Sequence, residues 1–187
     1  TGDIMVSIDK YIAVSANAGF KEVVSALKRT IAAGEGWNKS TVLVYDNNLL
    51  AGFISLADVL NAIEPQFLKG GTYRGWTVNW EWAIPVFWEG LFTDRCIEAT
   101  GKKAREIMNP VEFEVGTEDP LIKAVYGMTA YSTKNIPVIR DGLVAGIIRS
   151  EELFHEISAL VSNGGAPVFS FDKLQTVKSR ASAGRQH

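Results

Sequence analysis

The chain has 187 residues, of which 47% are hydrophobic and 21% charged, with a formal net charge of -2 at pH 7. That is the balance of a globular protein able to bury a core without disulfides. Its pI is near 5.7 and it has no run of Lys or Arg, so it lacks the basic stripe that nucleic acid or an acidic membrane would attract. Its one cysteine, Cys96, rules out an intramolecular disulfide and fits a reducing, cytoplasmic location.

In chain order, the start TGDIMVSIDK lacks a basic segment followed by a long apolar one, so no secretory signal is expected. The absence of an initial Met is compatible with a missing upstream segment. A short strand is predicted to end at Val14. A helix follows, with apolar residues three and four apart at Phe20, Val23, Val24 and Leu27. Two β-rich runs, VLVY and LLAGFI, are split by Asp46-Asn47-Asn48. A second helix then carries Leu56, Val59, Leu60 and Ile63.

Residues 65–102 are too long for a simple connection, since median loops have about 4–6 residues. They hold Trp76, Trp80, Trp82 and Trp88 with Phe67, Tyr73, Phe87 and Phe92, punctuated by Gly70-Gly71 and Pro85. The first pattern then returns. A strand ends at Val115, and Asp119-Pro120 opens a helix, Pro being tolerated in the first turn. That helix carries Leu121, Ile122, Val125 and Met128. The runs IPVI and LVAGII are split by Arg140-Asp141-Gly142, and Asp-Gly between β runs signals a hairpin. The last helix carries Leu153, Ile157 and Leu160, and Gly164-Gly165 follows it at the start of a tail, residues 163–187.

The two halves are one unit used twice. Val14 aligns with Val115 and Val23 with Ala124 at an offset of 101, whereas Gly52 aligns with Gly146 and Ile54 with Ile148 at an offset of 94. The first copy therefore has seven extra residues between its helix and its next strand, and the segment RTIAAGEGWNKS is the place for them. Each copy is preceded by an Ile-Met pair, Ile4-Met5 and Ile107-Met108. A β-α-β-β-α unit of this size has few helices to cover its sheet. Two copies packing sheet to sheet would bury that face.

These residues resemble the CBS domain family. Copy two carries Ile136-Pro137-Val138-Ile139, Gly142 and Gly146-Ile147-Ile148. Copy one carries Gly52-Phe53-Ile54-Ser55-Leu56-Ala57-Asp58. The resemblance implies an α/β (α+β) fold of two CBS repeats, residues 3–64 and 103–162, packed as a pseudo-two-fold pair with the aromatic insertion between them. It further implies a regulatory module rather than an enzyme. Such a module needs no cofactor, binds an adenosyl compound such as AMP, ADP, ATP or S-adenosylmethionine, dimerises, and signals to an effector protein.

Ser55-x-x-Asp58 is the sharpest feature of the chain. The carboxylate can accept both ribose hydroxyls, and the helix start can face a phosphate. The same spacing is also a capping box, which needs no ligand. In copy two the pattern is Arg149-Ser150-Glu151-Glu152. Glu152 is one methylene longer than the usual ribose acceptor, and Arg149 replaces the hydroxyl with a fork suited to phosphate. By the resemblance, Asp58 would share its cleft with Val111, Phe113, Pro137 and Val138, and a second cleft would use Ile8, Ile12, Leu43 and Val44. In copy one Leu43 stands where copy two has Pro137. Lys134 and Arg140 are further candidate phosphate partners, or simply solvated.

The aromatic insertion admits three readings. It could complete the core within the chain or a homodimer, dock a separate protein, in which case the clefts would be vestigial and the module a scaffold, or touch a membrane surface. Its few cations, Lys69, Arg74 and Arg95, disfavour the last. No catalytic constellation stands out. With only His155 and His187 a metal site built from His is poorly supplied, Cys96 has no partner nearby in sequence, and no phosphate-binding glycine loop is present.

Overall fold

The computed structural model describes residues 1–35, 40–64, 72–73, 76–77 and 90–162. Thr1–Leu153 form one compact unit. Strand β1 (Val6–Ser7) leads through a 3-10 turn, Ile8–Lys10, to β2 (Ile12–Ser15), and helix α1 (Phe20–Thr30) follows. Phe20, Val23, Ala26, Leu27 and Thr30 are buried along one stripe of α1, while Val24 is exposed. A π-helical turn, Ile31–Glu35, extends α1 before β3 (Thr41–Asp46), so the extra residues of the first copy lie between this helix and this strand.

Strands β3 and β4 (Leu49–Ser55) form a two-residue hairpin turning at Asn47 and Asn48, which have φ of 49° and 65°. Asp46 pairs with Leu49 inside the ladder instead of lying in the turn. Helix α2 (Leu56–Ile63) starts where β4 ends. The insertion supplies a short hairpin of β5 (Thr72–Tyr73) and β6 (Trp76–Thr77), then helix α3 (Leu91–Ala99). Trp80, Trp82 and Trp88 lie outside the described residues and Trp76 is described only as backbone, so the readings of the aromatic cluster fall outside them too.

The second copy begins with a single helical turn, α4 (Ala104–Ile107), and β7 (Asn109–Pro110). Strand β8 (Val115–Gly116), helix α5 (Leu121–Ala130), the hairpin β9 (Asn135–Arg140) and β10 (Leu143–Arg149), and helix α6 (Ser150–Ser162) follow. Asp141 and Gly142 turn this hairpin with φ of 51° and 76°. Paired positive φ values are those of a type I′ turn, whose twist matches that of the strands it joins. Pro120 is the N-cap of α5, one position before the first turn. The inward face of α5 is Ala124 and Gly127, with Leu121, Val125 and Met128 half-buried beside them, and Ile122 is 70% exposed. Small residues face inward because Phe113 and Ile136 press on Gly127. The apolar stripes of α2 and α6 are likewise only partly used: Leu60, Ile157 and Leu160 are exposed. Phe154–Ser162, the described part of a second unit, continue α6 with Phe154, Ile157, Leu160 and Val161 exposed.

Apart from the β5-β6 hairpin, the described strands make two four-stranded sheets, in the orders β2-β3-β4-β7 and β1-β10-β9-β8. Each contains one strand from the opposite copy. Strand β7, near the start of copy two, pairs with β4 of copy one through Gly52↔Pro110 and Phe53↔Asn109. Strand β1, near the start of copy one, pairs with β10 of copy two through Val6↔Ile147 and Ser7↔Gly146. The two Ile-Met pairs go with these strands. Ile107 and Met108 pack on the core of copy one, and Ile4 and Met5 on that of copy two.

Strand pleating then separates two kinds of core. Val42, Val44 and Ile54 point to α1, and Ile136, Val138 and Ile148 to α5 and Leu153. On the opposite faces Leu43 and Phe53 of one sheet meet Ile147 of the other, with Tyr45, Leu50, Val111 and Val144 around them. The copies therefore pack sheet to sheet.

Candidate functional site

The site is built where each hairpin hands over to its last helix. In copy one the end of β4 pairs Ser55 with Thr41, and in copy two the end of β10 pairs Arg149 with Asn135. These are equivalent positions at the offset of 94. A cleft of about 330 Å³ brings both ends together. Copy one lines it with Thr41, Phe53, Ser55, Leu56, Asp58 and Leu60. The other side consists of Asn109, Lys134, Asn135, Arg149 and Glu151.

The chemistry of the two ends differs. Asp58 Oδ2 accepts the Ser55 backbone N–H at 2.8 Å and the Ser55 hydroxyl at 2.7 Å. This is the acid's half of a capping box at the start of α2. Both bonds fall on one oxygen, so the carboxylate keeps acceptor capacity on the other. In copy two Glu152 has the same relation to residue 149: it accepts the Arg149 backbone N–H at 3.2 Å. It also takes Arg149 Nε at 2.9 Å and Nη2 at 2.6 Å, a bidentate ion pair. Burial works to raise the Glu152 carboxyl, but the hydrogen bonds and charge of Arg149 outweigh it and hold the group below its ordinary range. The Lys134 carbonyl accepts the Ser150 N–H at 2.9 Å, which fixes Lys134 beside the start of α6.

Helix α2 is held from its other end by the insertion. Arg95 of α3 donates to the carbonyls of Ile63 at 3.3 Å and Glu64 at 3.2 Å, and Lys102 Nζ donates to that of Ala62 at 2.7 Å. Cations at a helix C-terminus satisfy its last carbonyls and complement its dipole. Arg95 is therefore used within the fold.

Of the sequence-derived candidates, the cleft gathers Ser55, Asp58, Arg149 and Lys134. Val111 and Phe113 line an adjoining hollow of about 10 Å³ that shares Asn109 and Asn135 with the cleft. Phe113 stacks there on Tyr131, with ring centroids 5.4 Å apart. Pro137 and Val138 are fully buried, and Val138 faces α5. Glu152 lies behind Arg149. Ile8, Ile12, Leu43 and Val44 belong to the cores, and Arg140 is exposed beside the hairpin turn. Sequence reasoning missed Thr41, Asn109 and Asn135. Hairpin register opposite Ser55 and Arg149 would have found Thr41 and Asn135. Asn109 reaches the cleft only through the exchanged strand. Among the described residues no cluster of three or more metal-ligating side chains occurs, and no helix is long and apolar enough to cross a membrane.

Residues 104–159 match the family model described as CBS domain. That stretch is a CBS domain. Most of the chain also has the CBS-pair fold of solved structures at low identity. A CBS domain-containing protein of unknown function from Bacillus anthracis is 19% identical at a TM-score of 0.56, covering 84% of this chain and 91% of that one. The CBS-pair protein CBSX2 from Arabidopsis thaliana is 17% identical at 0.55, covering 88% and 96%. CBSX2 in complex with AMP is 15% identical at 0.52, covering 86% and 96%. Comparison with curated proteins finds no match. Residues of both repeats contribute to the cleft described above.

Proposed function

We propose that this CBS pair, with repeats at 3–64 and 103–162, is a regulatory module that binds an adenosyl compound in the Asp58 cleft. The single observation behind this reading is the cleft itself. It has the size of a small-molecule site, and it sets a carboxylate with spare acceptor capacity opposite two cations, Lys134 and Arg149. Asp58 would take the ribose hydroxyls, and the side chains from the second repeat would take the phosphate. The AMP complex of a protein with this fold supports the choice of ligand. Because residues of both repeats line the cleft, a ligand there would stabilise their closed arrangement. It would then act on a homodimer or an effector protein by differential affinity for two states.

Calorimetric titration of AMP, ADP, ATP and S-adenosylmethionine into the wild-type chain and Asp58→Ala tests the reading. At least one ligand is expected to bind the wild type, and Asp58→Ala is expected to weaken it tenfold or more. The variant also loses a cap, so a stability drop of about 1 kcal/mol is expected alongside, and titrations belong well below its melting temperature. Failure of all four ligands to bind the wild type would overturn the proposal.

A further inference from the structure

Helix α2 has the cleft at one end and the insertion at the other. Ser55 is its N-cap and Asp58 stands in its first turn, and both line the cleft. At its far end three consecutive carbonyls, those of Ala62, Ile63 and Glu64, accept hydrogen bonds from Lys102 and Arg95. The helix has eight residues, a rod of about 12 Å, so a movement of one end reaches the other. A second route joins α3 to the same cleft. The chain leaving α3 is fastened to the loop before α1. Phe20 N–H donates to the Lys102 carbonyl at 3.0 Å, Ala104 N–H to that of Ala18 at 2.9 Å, and Arg105 N–H to that of Ala16 at 3.0 Å. It continues through α4 to β7, where Asn109 lines the cleft. Helix α3 is thus tied to both Asp58 and Asn109, yet its own seat is slight. Ala99 is its buried residue, packed with Phe20 and Ala62, while Phe92 and Ile97 are 71% and 64% exposed. Such an element can leave its place without opening a core, as the least stable parts of a fold do.

We infer that α3 is a coupling arm: seated on α2 through Arg95 and Lys102, it holds the cleft in its ligand-binding form, and its release carries the ligand state of the cleft to the insertion. This rests on the adenosyl-binding reading above and adds the regulation of that same site. Arg95 and Lys102 are positioning residues, since they act on a ligand only through α2. A ligand that prefers the seated form holds α3 down. By linkage, release of α3 then weakens that ligand by the same factor.

Cys96, the one cysteine of the chain, is half-buried beside Arg95 on α3. Its labelling rate with dithiobis(nitrobenzoate) in the full chain therefore reads release of α3. Saturating AMP is expected to slow labelling of the wild type by about fivefold or more, the lower end of the usual coupling between sites. In Arg95→Met/Lys102→Met, labelling is expected to be faster and protection by AMP to be lost. Calorimetry should show AMP binding to this variant weakened by about fivefold or more. A second measurement needs no ligand. Residue-resolved amide exchange in the same variant is expected to rise at Ser55 and Val111, whose N–H groups donate to Asp58 Oδ2 and to the Ala51 carbonyl. Two cations that only cap α2 would change exchange in its last turn alone. Exchange confined to that turn, an unchanged AMP affinity, or intact protection of Cys96 by AMP would each overturn the inference. Lys102→Met carries the same measurements if the double variant does not fold. The adenosyl reading stands or falls on the wild type by calorimetry, and the coupling on the variants. If AMP does not bind the wild type, amide exchange decides the coupling by itself.

Discussion

Arg149 and Glu152 show how one substitution pair changes the use of a site. In repeat one a short acid caps its helix with one oxygen. In repeat two a longer acid caps its helix and also holds a guanidinium that is nearly out of solvent. Removing one partner of such a pair strands the other, whereas removing both can be close to neutral. Arg149→Met alone is therefore expected to lower the urea midpoint more than Arg149→Met/Glu152→Met does. The pH dependence follows from the direction of the Glu152 shift. Its folded pKa is depressed, so the pair's contribution is present above the unfolded carboxylate range, near pH 4.3, and is lost as pH falls through the folded value. The stability gap between wild type and the double variant is expected to be constant from pH 7 to 5.5 and to shift toward the double variant below about pH 4. A gap that is flat down to pH 2.5 would show that folding does not depress the Glu152 carboxyl.

At the scale of elements, the contacts most sensitive to change are the crossings of the exchanged strands. A Cβ on Gly52 would sit 2.6 Å from the Asn109 carbonyl oxygen, and one on Gly146 would sit 2.6 Å from that of Val6. Backbone cannot yield as a flexible side chain can, so Gly52→Ala and Gly146→Ala are each expected to cost about 1–3 kcal/mol, read from denaturant unfolding. The partners of these glycines are strands of only two residues each. A shift from the clash would therefore move β7 or β1 as a whole. Since Asn109 of β7 lines the cleft, Gly52→Ala is also expected to weaken AMP binding, and Gly146→Ala to weaken it less. Equal weakening by both would argue that the crossings affect binding only through overall stability.

For the unit of Thr1–Leu153, exchange of strands makes each sheet depend on chain from both repeats, and the cluster around Leu43, Phe53 and Ile147 joins the sheets face to face. Neither repeat keeps its outer strand or its inner face without the other. The two repeats are expected to unfold in one transition. Ile54 and Ile148 are equivalent, fully buried and in different cores. Ile54→Ala and Ile148→Ala should each cost about 2–5 kcal/mol and should shift the same single midpoint, followed by circular dichroism in urea. Two separable transitions, one displaced by each substitution, would show that the repeats fold independently.

The repeat, the order of its elements, the turns at Asn47-Asn48 and Asp141-Gly142 and the motif at Ser55 could all be read without coordinates, because each is a short-range pattern. Positive φ, apolar spacing and capping are set by residues a few positions apart. Apolar spacing did not say which face of a helix is covered. Val24, Leu60, Ile122 and Ile157 fit their stripes yet remain exposed, since coverage depends on what lies opposite, and at α5 it is Phe113 against Gly127. Strand exchange was equally hidden. Ile4-Met5 and Ile107-Met108 read as matching prefixes, each to its own repeat, but two sheets of like pattern offer each prefix two similar edges. Only long-range pairing chooses between them. The same long-range geometry brings Ser55 and Arg149, 94 residues apart, to one cleft. Local chemistry thus wrote the parts of this protein, and the packing of two similar sheets selected which parts work together.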